Sequence, residues 1–234
     1  MTWFGSFYKS ALGKKAVMAL TGIAFWGFVL AHMLGNLKVF AGQAAFNQYA
    51  EWLRDLAYPA VPHEGVLWIA RAVLLLALVL HVHAAVSLTR MNRQARPKGY
   101  AHREVQEAGW ASRTMRWTGV ALLGFIVYHI LHFTTGQAHH DFQAPVETAE
   151  GVRVFAYQNL TSAFEIGWVA AIYVVAMVFL GMHLFHGLWS LFQSLGWNHP
   201  RFNPWRRAFA VVFAVVISLG FLLVPVSVLA GWVG

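Results

Sequence analysis

Five long apolar runs separated by short polar stretches dominate the chain. They predict membrane-spanning helices over residues 16–38, 66–90, 114–136, 162–194 and 206–230. Each exceeds the ~20 residues that an α-helix needs to cross a hydrocarbon core. The fourth is long enough to tilt or to project from the bilayer. Residues 1–15 are amphipathic and basic, with Trp3, Phe4, Phe7 and Tyr8 as interfacial anchors beside Lys9, Lys14 and Lys15. Residues 39–65 carry Tyr49, Trp52, Tyr58, Pro59 and Pro62, and predict a connection with a short helix along the membrane surface. Residues 91–113 are polar and basic, and 137–161 are acidic and histidine-bearing (His139, His140, Asp141, Glu147, Glu150). Asn198, Pro200 and Pro204 end the fourth run.

Two of these runs are versions of one pattern. Residues 21–34 read TGIAFWGFVLAHML and residues 118–131 read TGVALLGFIVYHIL, with seven of fourteen columns identical. Each copy carries one histidine near its far end, His32 and His129. An imidazole in hydrocarbon is costly and by default marks function. Placed twice at one depth, it predicts two helices gripping something between them.

Composition narrows the class. Of 234 residues, 59% are hydrophobic and 11% charged, against about 25% charged in a soluble domain. The chain reads as an all-α integral membrane protein with five transmembrane helices in a single domain, and no added soluble domain is expected. No cleavable signal peptide is expected either, because the first apolar run outlasts a signal-peptide core. Cysteine is absent, so disulfides, iron–sulfur clusters and thiolate-ligated haem belong on a partner or nowhere. The formal charge of +8 is explained by placement rather than by nucleic acid. Lys9, Lys14, Lys15, Arg90, Arg93, Arg96, Lys98, Arg103, Arg113, Arg116, Arg201, Arg206 and Arg207 fall on one side. Lys38, Arg54, Arg71, Arg153 and most acids fall on the other. The positive-inside rule then puts the N-terminus and the loops 91–113 and 195–207 in the cytoplasm.

Depth follows from the helical rise of ~1.5 Å per residue. His32 lies roughly 24 Å from Ala16 and His129 roughly 21 Å from Met115, on helices running outward. His81 lies roughly 22 Å from Val66 and His183 roughly 25 Å from Ile166, on helices running inward. The four imidazoles thus form two facing pairs, His32–His129 in the outer half and His81–His183 in the inner half. Their levels differ by roughly 15 Å in a ~30 Å core, a separation suited to passing electrons across a bilayer. Paired axial imidazoles between helices suit a b-type haem, with Gly22, Gly27, Gly119 and Gly124 leaving room before the outer pair and Ala85 and Gly187 one turn after the inner one. No Cys-x-x-Cys-His occurs, which excludes covalent haem c. Zinc would ask for three or four ligands at one depth, and a transport path more often mixes carboxylates with its histidines; Glu165, at an end, is the clear carboxylate within the spans. The expected architecture is a haem-binding four-helix bundle plus one further helix.

The other histidines sort by position. His83 lies about 200° round the helix from His81, so the two cannot face one haem. His132 and His186 lie about 60° from His129 and His183 and are rival ligands or hydrogen-bond partners of a propionate or quinone. His63, His102, His139, His140 and His199 are expected in solvated loops.

Several stretches then carry a family resemblance. They are His32-Met-Leu-Gly-Asn36, Phe46-Asn47-x-Tyr49-Ala50, His81 with Ala85 and Leu88, Tyr128-His129-Ile130-Leu131-His132-Phe133, and His183-x-x-His186-Gly187-Leu188-Trp189-Ser190. In that order they resemble the single-chain, five-helix, dihaem cytochrome b anchor of succinate:quinone oxidoreductases and fumarate reductases (respiratory complex II). The resemblance places the axial ligands on His32, His81, His129 and His183. It implies a proximal haem b held by His81 and His183 and a distal one by His32 and His129. It also implies partners: a flavoprotein subunit that oxidises succinate, an iron–sulfur subunit that relays electrons, and a quinone, menaquinone above all, in a bacterial cytoplasmic membrane. Arg90, Arg113 and Arg116 are candidates for pairing with proximal propionates. The quinone candidates it raises are His132, Glu51 and Glu165 on the outer side and Lys14, Arg116 and His186 on the inner side. Competing readings are the cytochrome b subunit of another quinone-linked dehydrogenase, a haem-free transporter or channel, and a haem-retaining scaffold without quinone contact.

Overall fold

The computed structural model describes residues 3–95, 110–148 and 151–234. Arg96, Lys98, His102, Arg103 and Glu150 lie outside the described residues, as do the side chains of Trp3, Phe4 and Arg113. In order, the elements are α1 (Trp3–Lys9), α2 (Ala11–Leu37) running into a 3₁₀ turn (Lys38–Ala41), α3 (Gln43–Arg54), α4 (Gly65–Gln94), and α5 (Trp110–His129) closed by a π-helical turn (Ile130–Thr134). They continue with β1 (Val146–Thr148), β2 (Gly151–Arg153), α6 (Ala156–Glu165), α7 (Gly167–Ser194) and α8 (Asn203–Leu229). The helices α2, α4, α5 with its π turn, α7 and α8 are long and apolar enough to cross a membrane, so the protein is an all-α, multi-pass membrane protein.

Local chemistry sets the ends of these elements. The first span begins at Ala11 rather than near residue 16, because Ser10 caps it: its hydroxyl accepts from the Gly13 amide at 2.9 Å. The stretch expected as one helix over 162–194 is two helices. Ile166 is extended (φ −83°, ψ 104°) between Glu165 and Gly167. Glycine is a poor helix interior residue, and the break frees α6 to turn an amphipathic face, with Leu160, Ala163 and Phe164 buried, toward α3 and α8. The 137–161 loop also holds a short antiparallel ribbon, β1–β2, that no hydrophobic alternation announced.

Packing separates the helices into neighbours and non-neighbours. Helix α2 packs on α4, α7 and α8, α5 packs on α7, and α7 packs on α8. Neither α2 with α5 nor α4 with α7 makes more than marginal backbone contact. Small residues bring α7 and α8 together: a Cβ added at Gly181 would stand 2.7 Å from the Ser218 hydroxyl. The main buried cluster, with Val39, Phe46, Leu160, Phe164, Val169, Tyr173 and Val224, lies at the end capped by α3 and α6. That cap is tied by polar contacts. Asn47 donates to the Gln158 side chain at 3.0 Å and accepts from the Tyr157 amide at 2.9 Å, and Glu51 accepts from the Val154 amide at 3.2 Å. Leu20, Leu75, Leu76, Val120 and Val212 point outward; among lipid tails as apolar as themselves they need no protein partner.

Candidate cofactor-binding site

Two imidazole couples lie inside the bundle. The rings of His32 on α2 and His129 at the end of α5 have centroids 5.8 Å apart and planes at 84°. Those of His81 on α4 and His183 on α7 are 6.4 Å apart and inclined at 54°. Each couple therefore bridges a pair of helices that do not pack directly on each other. The Thr21 hydroxyl lies 2.9 Å from Nδ1 of His81, and the Thr118 hydroxyl 3.3 Å from Nδ1 of His183. Thr21 precedes His32 by eleven residues on α2, and Thr118 precedes His129 by eleven on α5. At ~1.5 Å per residue the two couples stand about 16 Å apart along the bundle.

The spacing within each couple has a chemical meaning. A metal–imidazole bond is about 2 Å long and the ring centre lies about 1 Å behind the nitrogen, so imidazoles on opposite faces of one metal ion have centres about 6 Å apart. Both couples stand near that value. Among the described residues, no three His, Asp or Glu side chains converge on a metal position. A metal held by either couple must therefore bring its remaining ligands with it, as a tetrapyrrole does. Among the described residues, nothing beyond the local helix backbone stands within 4 Å of where a Cβ would be at Gly22, Gly27 or Gly124, and a Cβ at Gly119 would meet His183 Cε1 at 3.5 Å. The gaps between unpacked helices and these bare backbones fit a flat macrocycle.

The rival histidines have other neighbours. His83 turns from the bundle and hydrogen-bonds through Nδ1 to the Tyr8 hydroxyl, its ring stacked 5.7 Å from that of Tyr8. His132 lies in the π turn and is buried; its Nδ1 meets the Tyr173 hydroxyl at 2.8 Å, and its ring stacks on Tyr128 at 5.2 Å. His186 is half-buried one turn beyond His183. His139, expected in a solvated loop, is instead 9% exposed. The chain after α5 folds back so that His139 stacks 4.9 Å from His132 while its Nε2 meets the Asn159 carbonyl at 2.8 Å. His63, His140 and His199 are exposed, the first two paired with Asp55 and Asp141.

The quinone candidates do not gather at one place. Lys14 is buried, with Nζ donating to the Tyr8 carbonyl at 3.1 Å and lying 4.3 Å over the Tyr8 ring. Arg116 and Glu165 are exposed on different elements. Glu51 borders a polar hollow with Gln43, Asn47, Arg153 and Gln158. A separate, almost wholly apolar groove of about 480 Å³ runs between α5 and α7, lined by Gly124, Phe125, Tyr128, Trp168, Ile172 and Phe179; none of the candidates lines it. Thr21, Thr118 and Tyr173 touch the central histidines, and hydropathy and spacing assigned them no role. A signal was present for the threonines, which open both copies of the repeat.

Residues 89–223 match the family model described as succinate dehydrogenase/fumarate reductase transmembrane subunit. No curated protein and no solved structure shows significant similarity to the chain.

Proposed function

The chain belongs to the succinate dehydrogenase/fumarate reductase transmembrane subunit family, and from that premise we propose that it is the dihaem cytochrome b anchor of such a complex. His81 with His183 would hold one haem b and His32 with His129 a second. When bound, each haem supplies a one-electron carrier. The observation that carries this reading is the pair of imidazole couples, 5.8 Å and 6.4 Å across, set at two levels of a five-span bundle.

The chain's own residues would do three things. The imidazoles would hold the carriers, the apolar helices would keep water from them, and the basic side would dock the catalytic subunits. The cysteine-free sequence leaves flavin and iron–sulfur chemistry to those partners. The His81–His183 couple lies toward the end carrying α1, through the contact of Thr21 with His81 and of Tyr8 with His83. With that end in the cytoplasm of a bacterial cell, electrons from an iron–sulfur subunit would reach this couple first. They would pass to the His32–His129 couple and to a membrane quinone, for which menaquinone is the proposed species.

The test is haem quantitation on the purified complex. Two haems b per chain, with a reduced-minus-oxidised b-type spectrum and succinate:quinone activity, is the expected result. A colourless preparation would overturn the reading in favour of a haem-free membrane protein. Haem without reaction toward a quinone analogue would reduce it to a scaffold.

A further inference from the structure

We propose that Thr21 and Thr118 are positioning residues that lock the His81–His183 couple in one tautomer and one ring orientation, so that each copy of the internal repeat serves both couples. The inference rests on the haem-ligand reading of His81 and His183.

A threonine hydroxyl has one hydrogen to give. Thr21 Oγ1 gives it to its own helix, to the carbonyl of Val17 at 2.7 Å, with Met18 O at 3.2 Å. What it turns toward His81 Nδ1 at 2.9 Å is a lone pair. Thr118 Oγ1 likewise donates to the Met115 carbonyl at 3.0 Å and meets His183 Nδ1 at 3.3 Å with a lone pair. In both imidazoles Nδ1 must then carry the hydrogen. That leaves the lone pair on Nε2, the nitrogen free to bind a metal. An N–H that donates to a fixed acceptor also makes the ring a stronger donor and fixes its rotation.

Three further observations support the assignment. Thr21 and Thr118 are 8% and 2% exposed, so water does not compete for the imidazole. A helical threonine has two χ1 rotamers open to it, and the bonds to the Val17, Met18 and Met115 carbonyls select the one that each hydroxyl takes. Each hydroxyl already has an intrahelical acceptor, so its approach to a histidine on another helix is not needed to satisfy the threonine. The repeat then acquires a logic. Eleven residues turn a helix to within about 20° of a whole number of turns. Thr21 and His32 therefore share one face of α2, and Thr118 and His129 share one face of α5. Each copy gives a ring to one couple and, about 16 Å away, a hydroxyl to the other.

The experiment uses the intact complex carrying Thr21→Val, Thr118→Val, or the serine replacements Thr21→Ser and Thr118→Ser. Haem is counted, the low-spin electron paramagnetic resonance signals are recorded, and both haems are titrated potentiometrically. The valine variants should move the potential of one haem to more positive values and shift its g signal, while the other haem is unchanged. Serine should restore both signals. Loss of that one haem in the valine variants, with retention in the serine variants, supports the same assignment. Unchanged potentials and g values in the valine variants overturn it. So does loss of haem in valine and serine variants alike, which would mark a packing role. Absence of haem from the wild-type complex would instead remove the ligand reading beneath it.

Discussion

His129 and His132 share one oxygen: the Tyr173 hydroxyl lies 3.3 Å from Nδ1 of the first and 2.8 Å from Nδ1 of the second. The π turn over Ile130–Thr134 lets both rings reach α7. The single phenolic hydrogen can go to only one of them, so the other must donate to the oxygen. If His129 keeps Nε2 free, its Nδ1–H donates, and Tyr173 donates to His132. Tyr173→Phe keeps the ring that packs on Phe125 and Phe164 and removes the shared oxygen. It strands a nitrogen of His132, which is 2% exposed. The expected cost is about 1–3 kcal/mol, read as a lower unfolding temperature in detergent with the haem count still at two.

The surroundings of His81 and His83 lead to opposite outcomes for neighbouring substitutions. His83 is exposed and bonded to Tyr8 on α1, outside the bundle. His83→Ala should leave both haems in place and change stability by no more than about 0.5 kcal/mol, as at other surface sites. His81→Ala should lose one haem and leave the other. Pyridine haemochromogen assays on the two variants decide it; loss of haem from His83→Ala alone would move the ligand two residues along α4.

The spans, and the levels of their histidines along the bundle, were legible because both depend on runs of residue type. Hydrocarbon thickness sets the length of each run, and a constant rise per residue converts position into height. That arithmetic paired His32 with His129 and His81 with His183, whose rings do meet. Features that depend on a single backbone torsion were not legible. The extended Ile166 splits one apolar run into α6 and α7, and the π turn swings His132 toward Tyr173. Nor does hydropathy show that a threonine on one helix faces a histidine on another. The identical first column of the repeat was visible, but its meaning required the packing of α2 on α4 and of α5 on α7.

Gly136 holds the fold-back that buries His139. It lies at φ +74°, and a Cβ there would overlap the Phe142 ring. Phe142 packs edge-on against His139, which stacks on His132. Gly136→Ala should cost about 1–2 kcal/mol from the left-handed backbone, and more from displacing Phe142. Gly196 lies at φ +78°, and among the described residues an added methyl group there would meet nothing beyond its chain neighbours within 4 Å, so Gly196→Ala should show the backbone cost alone. Thermal unfolding of the two variants side by side should put Gly136→Ala lower.

The two-level arrangement also predicts how a membrane potential acts on turnover. On the proposed function, electrons would enter at the His81–His183 level and leave beyond the His32–His129 level, crossing about 16 Å of the bundle from the side assigned to the cytoplasm outward. Menaquinone is a low-potential acceptor, so succinate oxidation by it runs uphill. An inside-negative potential drives negative charge in this outward direction, contributing up to about 2.3 kcal/mol per charge per 100 mV for a full crossing. Sealed inverted vesicles carrying the complex, energised by another respiratory substrate, should therefore reduce menaquinone from succinate faster than the same vesicles after addition of an uncoupler. Fumarate reduction from menaquinol should respond in the opposite sense. Equal rates with and without uncoupler in both directions would mean that quinone reacts at the cytoplasmic level, and that the His32–His129 couple lies off the electron path.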